Sequence, residues 1–234
     1  MIKDLILGDC MEVMKGLSDQ SVDIIVTSPP YNLAKKASGG GNSKVDVYKN
    51  FYPDEMDEME YQLWQENFLR ECIRVCKGSV FYNHRVRYAW HTRNKYRTAS
   101  NLYHPWDWVG KFPVWSEIIW WRKMTSGHPN NRFRLADERI YQIGKPHYFK
   151  DMGYTTVWEI LPTKNHVHPC SFPEEIPKRC LETFCPPGGV LMDPFMGSGT
   201  SVLVAEKMGY QYIGIEKDPS YFEYAKSRLK ADHT

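Results

Sequence analysis

The sequence predicts an open α/β fold with a mostly parallel central sheet, on three observations. The apolar run Val22 to Val26 leads straight into Thr27-Ser28-Pro29-Pro30-Tyr31, and open α/β sheets place their sites where such strands end. A second apolar strand, Val190 to Met192, runs into Asp193-Pro194-Phe195-Met196-Gly197-Ser198-Gly199-Thr200 and then an apolar helical stretch from Ser201 to Met208. A third strand, Tyr212 to Glu216, ends in an acid. Strand, glycine-rich turn, helix, strand is the order of a parallel βαβ unit.

Taken along the chain, Leu5 to Leu7 reads as a strand. Cys10 to Leu17 reads as a short helix with Cys10, Val13, Met14 and Leu17 on one face. The Val22 strand and its proline turn follow. Lys35 to Asn50 holds three consecutive glycines, four lysines and one acid, the composition of a mobile loop. Asp54 to Lys77 opens on acids and continues as a helix whose stripe is Trp64, Phe68, Cys72 and Val75. Ser79 to Tyr82, Ile118 to Trp121 and Arg139 to Ile143 are further strands. Lys123 to Arg134 is polar and basic, and Lys145 to Val157 is irregular. Asp218-Pro219 starts the closing helix, with Asp as N-cap and Pro in the first turn, and Tyr221, Phe222, Ala225 and Leu229 on its buried side.

The 234 residues are read as one domain, 1–234, because both halves must share a sheet to bring Ser28 near Gly197. Hydrophobic residues make up 42% of the chain, enough for a core. No apolar run approaches the ~20 residues of a membrane helix. Met-Ile-Lys-Asp-Leu at the start lacks the apolar core of a signal peptide, so the protein is expected in the cytoplasm. The six cysteines lack paired zinc-finger spacing. His166, His168, Cys170, Cys180 and Cys185 form a looser cluster, and the expectation is free thiols and no metal.

The net charge of +2 says nothing about partners, but its distribution does. Cys72 to Trp106 contains no acid, while Arg74, Lys77, Arg85, Arg87, Arg93, Lys95 and Arg97 alternate with Tyr82, Tyr88, Trp90, Tyr96 and Tyr103. Cations meet phosphates and aromatic faces stack on bases, so this stretch is a candidate DNA-binding face. The plainer alternative is a solvated amphipathic helix.

The proline turn suits a planar ring with an exocyclic amine, such as a base flipped out of a duplex. Ser28 offers an acceptor, the prolines lack N–H groups but keep free carbonyls, and Tyr31 offers a flat face. The glycine turn admits a cofactor close to the backbone, and Glu216 can accept both hydroxyls of a ribose. A nicotinamide site would continue to a third glycine, where this chain has Val202, and the Gly-Lys-Ser/Thr of a P-loop is absent. That favours S-adenosylmethionine.

Together these residues resemble the DNA amino-methyltransferases, whose motifs (Asp/Asn/Ser)-Pro-Pro-(Tyr/Phe) and Phe-x-Gly-x-Gly match Ser28 to Tyr31 and Phe195 to Gly199. Catalytic motif first and cofactor motif last resembles the circularly permuted β group. Leu5 to Cys10 looks like that group's adenine-holding segment, and His168-Pro169 with Phe172-Pro173 looks like its remaining cofactor motif. The resemblance implies a Rossmann-like methyltransferase fold and methyl transfer to an exocyclic amine in double-stranded DNA, in the setting of restriction and modification. It implies catalytic roles for Ser28, Pro29, Pro30 and Tyr31. Cofactor contacts would come from Asp9, Cys10, His168, Asp193, Phe195, Gly197, Ser198, Gly199, Thr200 and Glu216, with Asp193 orienting either the turn or the cofactor ammonium. Lys35, Lys36, Arg85, Arg87, Arg93 and Arg97 would meet DNA, a short region near 123–157 would read the target, and a homodimer is one arrangement. Ser28 favours cytosine N4 over adenine N6. RNA or a protein amide is a more distant alternative substrate.

Overall fold

Two apolar strands far apart in the chain, Ile24–Thr27 and Val190–Asp193, lie side by side and parallel. Asp23 pins this seam: its backbone N–H donates to Val190 O at 2.9 Å, and its Oδ2 accepts from Val190 N at 2.7 Å. The computed structural model describes residues 2–33, 56–93, 96–126, 133–163 and 172–231. Its elements in chain order are β1 (Lys3–Leu7), α1 (Cys10–Lys15), β2 (Ile24–Thr27), α2 (Glu58–Val75), β3 (Val80–His84), β4 (Arg87–Arg93), β5 (Tyr96–Tyr103), α3 (Trp106–Val109), β6 (Val114–Ser126), β7 (Leu135–Ile143), β8 (Val157–Glu159), α4 (Glu175–Phe184), β9 (Val190–Asp193), α5 (Thr200–Lys207), β10 (Gln211–Glu216) and α6 (Pro219–Ala231).

Eight strands form one sheet in the order β1-β10-β9-β2-β3-β7-β6-β8. Pairing is parallel from β1 through β3, antiparallel on both sides of β7, and parallel again between β6 and β8. Side chains alternate across the sheet, so β2 feeds both cores. Ile24 and Val26 join Val202, Leu203 and Ala225 on the α4–α5–α6 side. Ile25 joins Met14, Phe68 and Trp108 on the α1–α2–α3 side.

The helices begin where the sequence supplies caps. Asp9, Asp57 and Asp218 each accept from the backbone N–H two residues on, at 2.9, 2.9 and 2.7 Å. In α2 the expected stripe is inward, with Phe68, Cys72 and Val75 buried and Trp64 packed at its margin. In α6, Ala225 and Leu229 are buried, while Tyr221 and Phe222 stay half-exposed.

The basic stretch does not form an amphipathic helix. It ends α2, supplies β3 to the main sheet, and from Arg87 to Tyr103 folds as an antiparallel β4–β5 hairpin outside that sheet. The β-branched and aromatic residues that weaken a helix suit that pairing. Strands β6 and β7 also run longer than the apolar runs that announce them. Among the described residues, no helix is long and apolar enough to cross a membrane. No group of three or more His, Cys, Asp or Glu there could hold a metal ion. Cys180 and Cys185 are buried free thiols, and His166 and Cys170 lie outside the described residues. The loop expected at Lys35 to Asn50 also lies outside them.

Candidate active site

From β9 the chain passes through α5 to β10 on one side of the seam, and from β2 through α2 to β3 on the other. The strand order therefore reverses between β9 and β2. In open parallel sheets the crevice beyond the carboxyl ends at such a point is where ligands bind. The proline turn leaves β2 at that edge and the glycine turn leaves β9 beside it.

The glycine turn is fastened from three directions. Gly197 N–H donates to the Glu216 carboxylate at 2.9 Å, and the other carboxylate oxygen accepts from Asp218 N at 2.8 Å. Phe195 N donates to Asp193 Oδ1 at 3.1 Å, and Ser201 Oγ donates to Asp193 Oδ2. Asp193 is thus bonded to both ends of the turn, and burial pushes its carboxyl up to about 6. From α6, Arg228 donates to Ser198 O at 2.7 Å and lies 3.4 Å from Thr200 Oγ1. Gly199 has φ +79°, and a Cβ there would stand 2.8 Å from that of Ala225, so both backbone shape and space demand glycine. Ser198 Oγ is buried without a hydrogen-bond partner among the described residues. Phe195 rests on α2, its ring 5.1 Å from Phe68 and 5.9 Å from Trp64.

Glu216 ends β10 and Asp9 follows its paired strand β1, with Leu7 in register with Glu216. Asp9 Oδ1 caps α1, and Oδ2 pairs with Lys217 at 3.0 Å. Cys10 packs, as its place on the helix face predicts, with its thiol buried in the α1–α2 core, and burial raises its pKa. His168 lies outside the described residues.

The proline turn is held by side chains from distant segments. Ser28 Oγ and Tyr31 OH are 2.7 Å apart. Tyr31 OH also reaches Asn83 Oδ1 at 3.0 Å and Glu138 Oε2 at 3.2 Å. Glu138 Oε1 accepts from Arg122 at 2.7 Å. Burial raises the Glu138 pKa, and the Arg122 guanidinium opposes that rise. The Tyr31 ring lies 4.5 Å from the His84 ring, so it already has one aromatic neighbour.

Pro30 O accepts from Tyr61 OH at 2.8 Å and from Gln65 Nε2 at 3.3 Å. Tyr61 OH is also 2.6 Å from His84 Nε2. Burial, with the charge of Arg87, pushes the His84 pKa down and keeps the ring neutral. His84 Nδ1 lies 2.8 Å from Arg85 O and must donate there, so Nε2 is an acceptor; the single Tyr61 proton serves either Nε2 or Pro30 O, and Gln65 Nε2 is the second donor to Pro30 O.

Arg87 corrects the expectation of a phosphate contact. Its side chain is 5% exposed. It makes a fork to Glu58 at 2.7 and 2.9 Å over the face of Tyr61, 4.5 Å from the ring centre. A guanidinium held this way braces the turn and is not free for DNA. Arg85 is half-buried. Arg93 and Arg97 lie in the β4–β5 hairpin, but their side chains, like Lys35 and Lys36 entirely, are outside the described residues. Sequence reasoning missed Tyr61, Gln65, His84, Asn83, Arg122 and Glu138. Tyr61 and Gln65 carried a signal, being polar residues four apart on the buried face of a helix.

A family model described as DNA methylase, of the N6/N4 type, matches residues 22–227. The Type II methyltransferase M.BglII of Bacillus subtilis is 27% identical over 96% of this chain and 68% of its own. The solved structure of PvuII DNA methyltransferase (cytosine-N4-specific) superposes with a TM-score of 0.73 at 18% identity, covering 98% of this chain and 86% of that one. A Thermus thermophilus protein described as a DNA modification methylase, complexed with S-adenosyl-L-methionine, gives a TM-score of 0.72 at 23% identity over 99% and 94%.

Proposed function

The chain belongs to the N6/N4 DNA methylase family, and from that premise we propose that it transfers a methyl group from S-adenosylmethionine to the N4 amine of a cytosine flipped out of double-stranded DNA. The observation that carries this reading is the seam. The Ser28 turn and the Gly197 turn leave neighbouring parallel strands at one reversal point, so an amine at one and a methyl donor at the other share a crevice. The catalytic strand comes first in the chain and the glycine strand late, which supports the permuted β-group arrangement.

The residues after β9 fit the cofactor. The glycine turn brings backbone without side chains to the crevice, Ser198 offers an orphaned buried hydroxyl, and Glu216 and Asp9 bring carboxylates to the ends of β10 and β1. Glu216 would hold the ribose, Asp9 the adenine amine, and Phe195 would pack beside them. When bound, S-adenosylmethionine supplies an activated methyl group on a sulfonium leaving group.

The chain's own work is orientation. An exocyclic amine is a poor nucleophile because its lone pair is delocalised into the ring. Acceptors at Ser28 Oγ and the Pro29 carbonyl would hold its two hydrogens and favour a pyramidal nitrogen. Pro30 keeps the turn rigid, since its carbonyl is already held by Tyr61, and Tyr31 lends its ring to the base. Alignment of this kind contributes up to ~7–11 kcal/mol. Unstacking the base costs a few kcal/mol, offset by pocket contacts.

The test is incubation with methyl-labelled S-adenosylmethionine and unmethylated duplex DNA, followed by nucleoside digestion and mass spectrometry. N4-methylcytosine is the expected product. N6-methyladenine would keep the reaction and overturn the base assignment. Label found only on RNA or on a protein amide would overturn the DNA substrate.

A further inference from the structure

A serine hydroxyl is an ambiguous group to face an amine, because it can donate as readily as it accepts. Ser28 works as an acceptor only if its proton is committed elsewhere. Behind it stands Tyr31 OH at 2.7 Å. Behind Tyr31 stand Asn83 Oδ1 at 3.0 Å and a Glu138 oxygen at 3.2 Å. Neither offers a proton. The Asn83 amide is fixed in orientation because its Nδ2 donates to Arg139 O at 3.0 Å. Glu138 is held by Arg122 at 2.7 Å through its other oxygen. Facing two acceptors, the Tyr31 proton points inward, and the Tyr31 oxygen is left to accept from Ser28.

We propose that Glu138 acts through Tyr31 as a positioning residue and proton sink, making Ser28 an acceptor toward the target amine and receiving the proton that methylation releases. This rests on the methyltransferase reading above. In the reaction the amine nitrogen forms its bond to the methyl carbon while the carbon–sulfur bond breaks, its electron pair going to sulfur. The nitrogen then carries one proton too many. That proton passes to Ser28 Oγ, the Ser28 proton passes to Tyr31 Oη, and the Tyr31 proton passes to the Glu138 carboxylate. Serine and tyrosine end unchanged, and Glu138 ends neutral until solvent takes the proton. Arg122 from β6, Arg85 beyond β3 and Tyr31 from the turn after β2 are the charged and titratable groups facing Glu138. Burial holds its proton affinity above that of an ordinary glutamate, as a proton sink requires.

The test is single-turnover methyl transfer to DNA by the wild-type chain, Glu138→Gln, Tyr31→Phe and the double variant, across pH, with S-adenosylmethionine affinity measured in parallel. Each single change should slow transfer roughly 10- to 100-fold and leave cofactor affinity unchanged. The double variant should be no slower than the slower single one, because the residues act as one unit. The wild-type rate should fall on the acid side as Glu138 is protonated, and Glu138→Gln should lack that limb. A wild-type rate and an intact acid limb in Glu138→Gln would overturn the relay, and so would losses that multiply. Should Glu138→Gln fail to fold with Arg122 unpaired, Tyr31→Phe decides, and an unchanged rate there overturns the relay. A wild-type chain that methylates no DNA would overturn the functional reading itself, a different result from an active wild type with an equally active Glu138→Gln.

Discussion

At the β9 side of the crevice, the stretch from Asp193 to Glu216 builds the floor by joining its own backbone to nearby side chains: Gly197 N–H on Glu216, Phe195 N–H on Asp193, with Arg228 of α6 under Ser198 O. At the β2 side the turn is only four residues, and its shape is imposed by side chains from α2, β3, β6 and β7. The first site can be no better than its glycines. The second is only as good as a polar network recruited from across the chain. Backbone shape is hard to lose by single substitutions except at the glycines, whereas a buried network fails at any member.

The largest effect should come from the network side. Arg87→Ala strands the partly buried Glu58 carboxylate and uncovers Tyr61, and should cost about 3–5 kcal/mol in denaturant unfolding. If the variant instead keeps its stability and loses DNA affinity with a shallower salt dependence, Arg87 is a phosphate contact after all. On the backbone side, Gly199→Ala adds left-handed strain and a clash with Ala225, together about 3 kcal/mol. A chemical melt checks it, and cofactor titration should show weakened binding as the turn shifts. Ser28→Ala should leave both melt and cofactor affinity alone while slowing methyl transfer roughly 10²-fold, the usual cost of one catalytic hydrogen bond. Weaker cofactor binding in that variant would mean that the two sides of the crevice are not independent. The most gradual effect concerns pH. Asp193 titrates near 6 when folded, above the ~3.9 of an exposed aspartate. Its contribution to stability is therefore full below pH ~4 and is lost as pH rises toward 6, by roughly 1.4 kcal/mol per pH unit within that window. Asp193→Asn should flatten that part of the melting-temperature profile, and an unchanged slope would assign it to another group.

The same contrast explains what could be read beforehand. The β9 side is local, so apolar strand, glycine turn, helix and terminal acid stand in order in the sequence, and Asp218 even names the start of the next helix. Ser28 to Tyr31 is also legible as a motif. Its supports are not, because nothing in sequence spacing links Tyr31 to Asn83 or Glu138, and an acid inside a strand looks like an ordinary solvent-facing residue. Arg87 was misread for the same reason. Its partner, Glu58, lies in another element, and a basic stretch gives no sign of which cation turns inward. The β4–β5 hairpin was missed because its alternating cations and aromatics fit a helix surface and a pleated strand equally well.

The seam between β2 and β9 also has a consequence in time. Synthesis delivers β2 early and its neighbour β9 only after most of the chain has been made. Until then β2 has its β3 side satisfied and its other edge bare, with Asp23 lacking the Val190 amide that it accepts in the finished sheet. Such long-range pairing is slow to form and leaves an open strand edge exposed to other chains. The crevice between β2 and β9 therefore cannot exist until β9 has emerged, and the bare β2 edge is the surface left open in the interval.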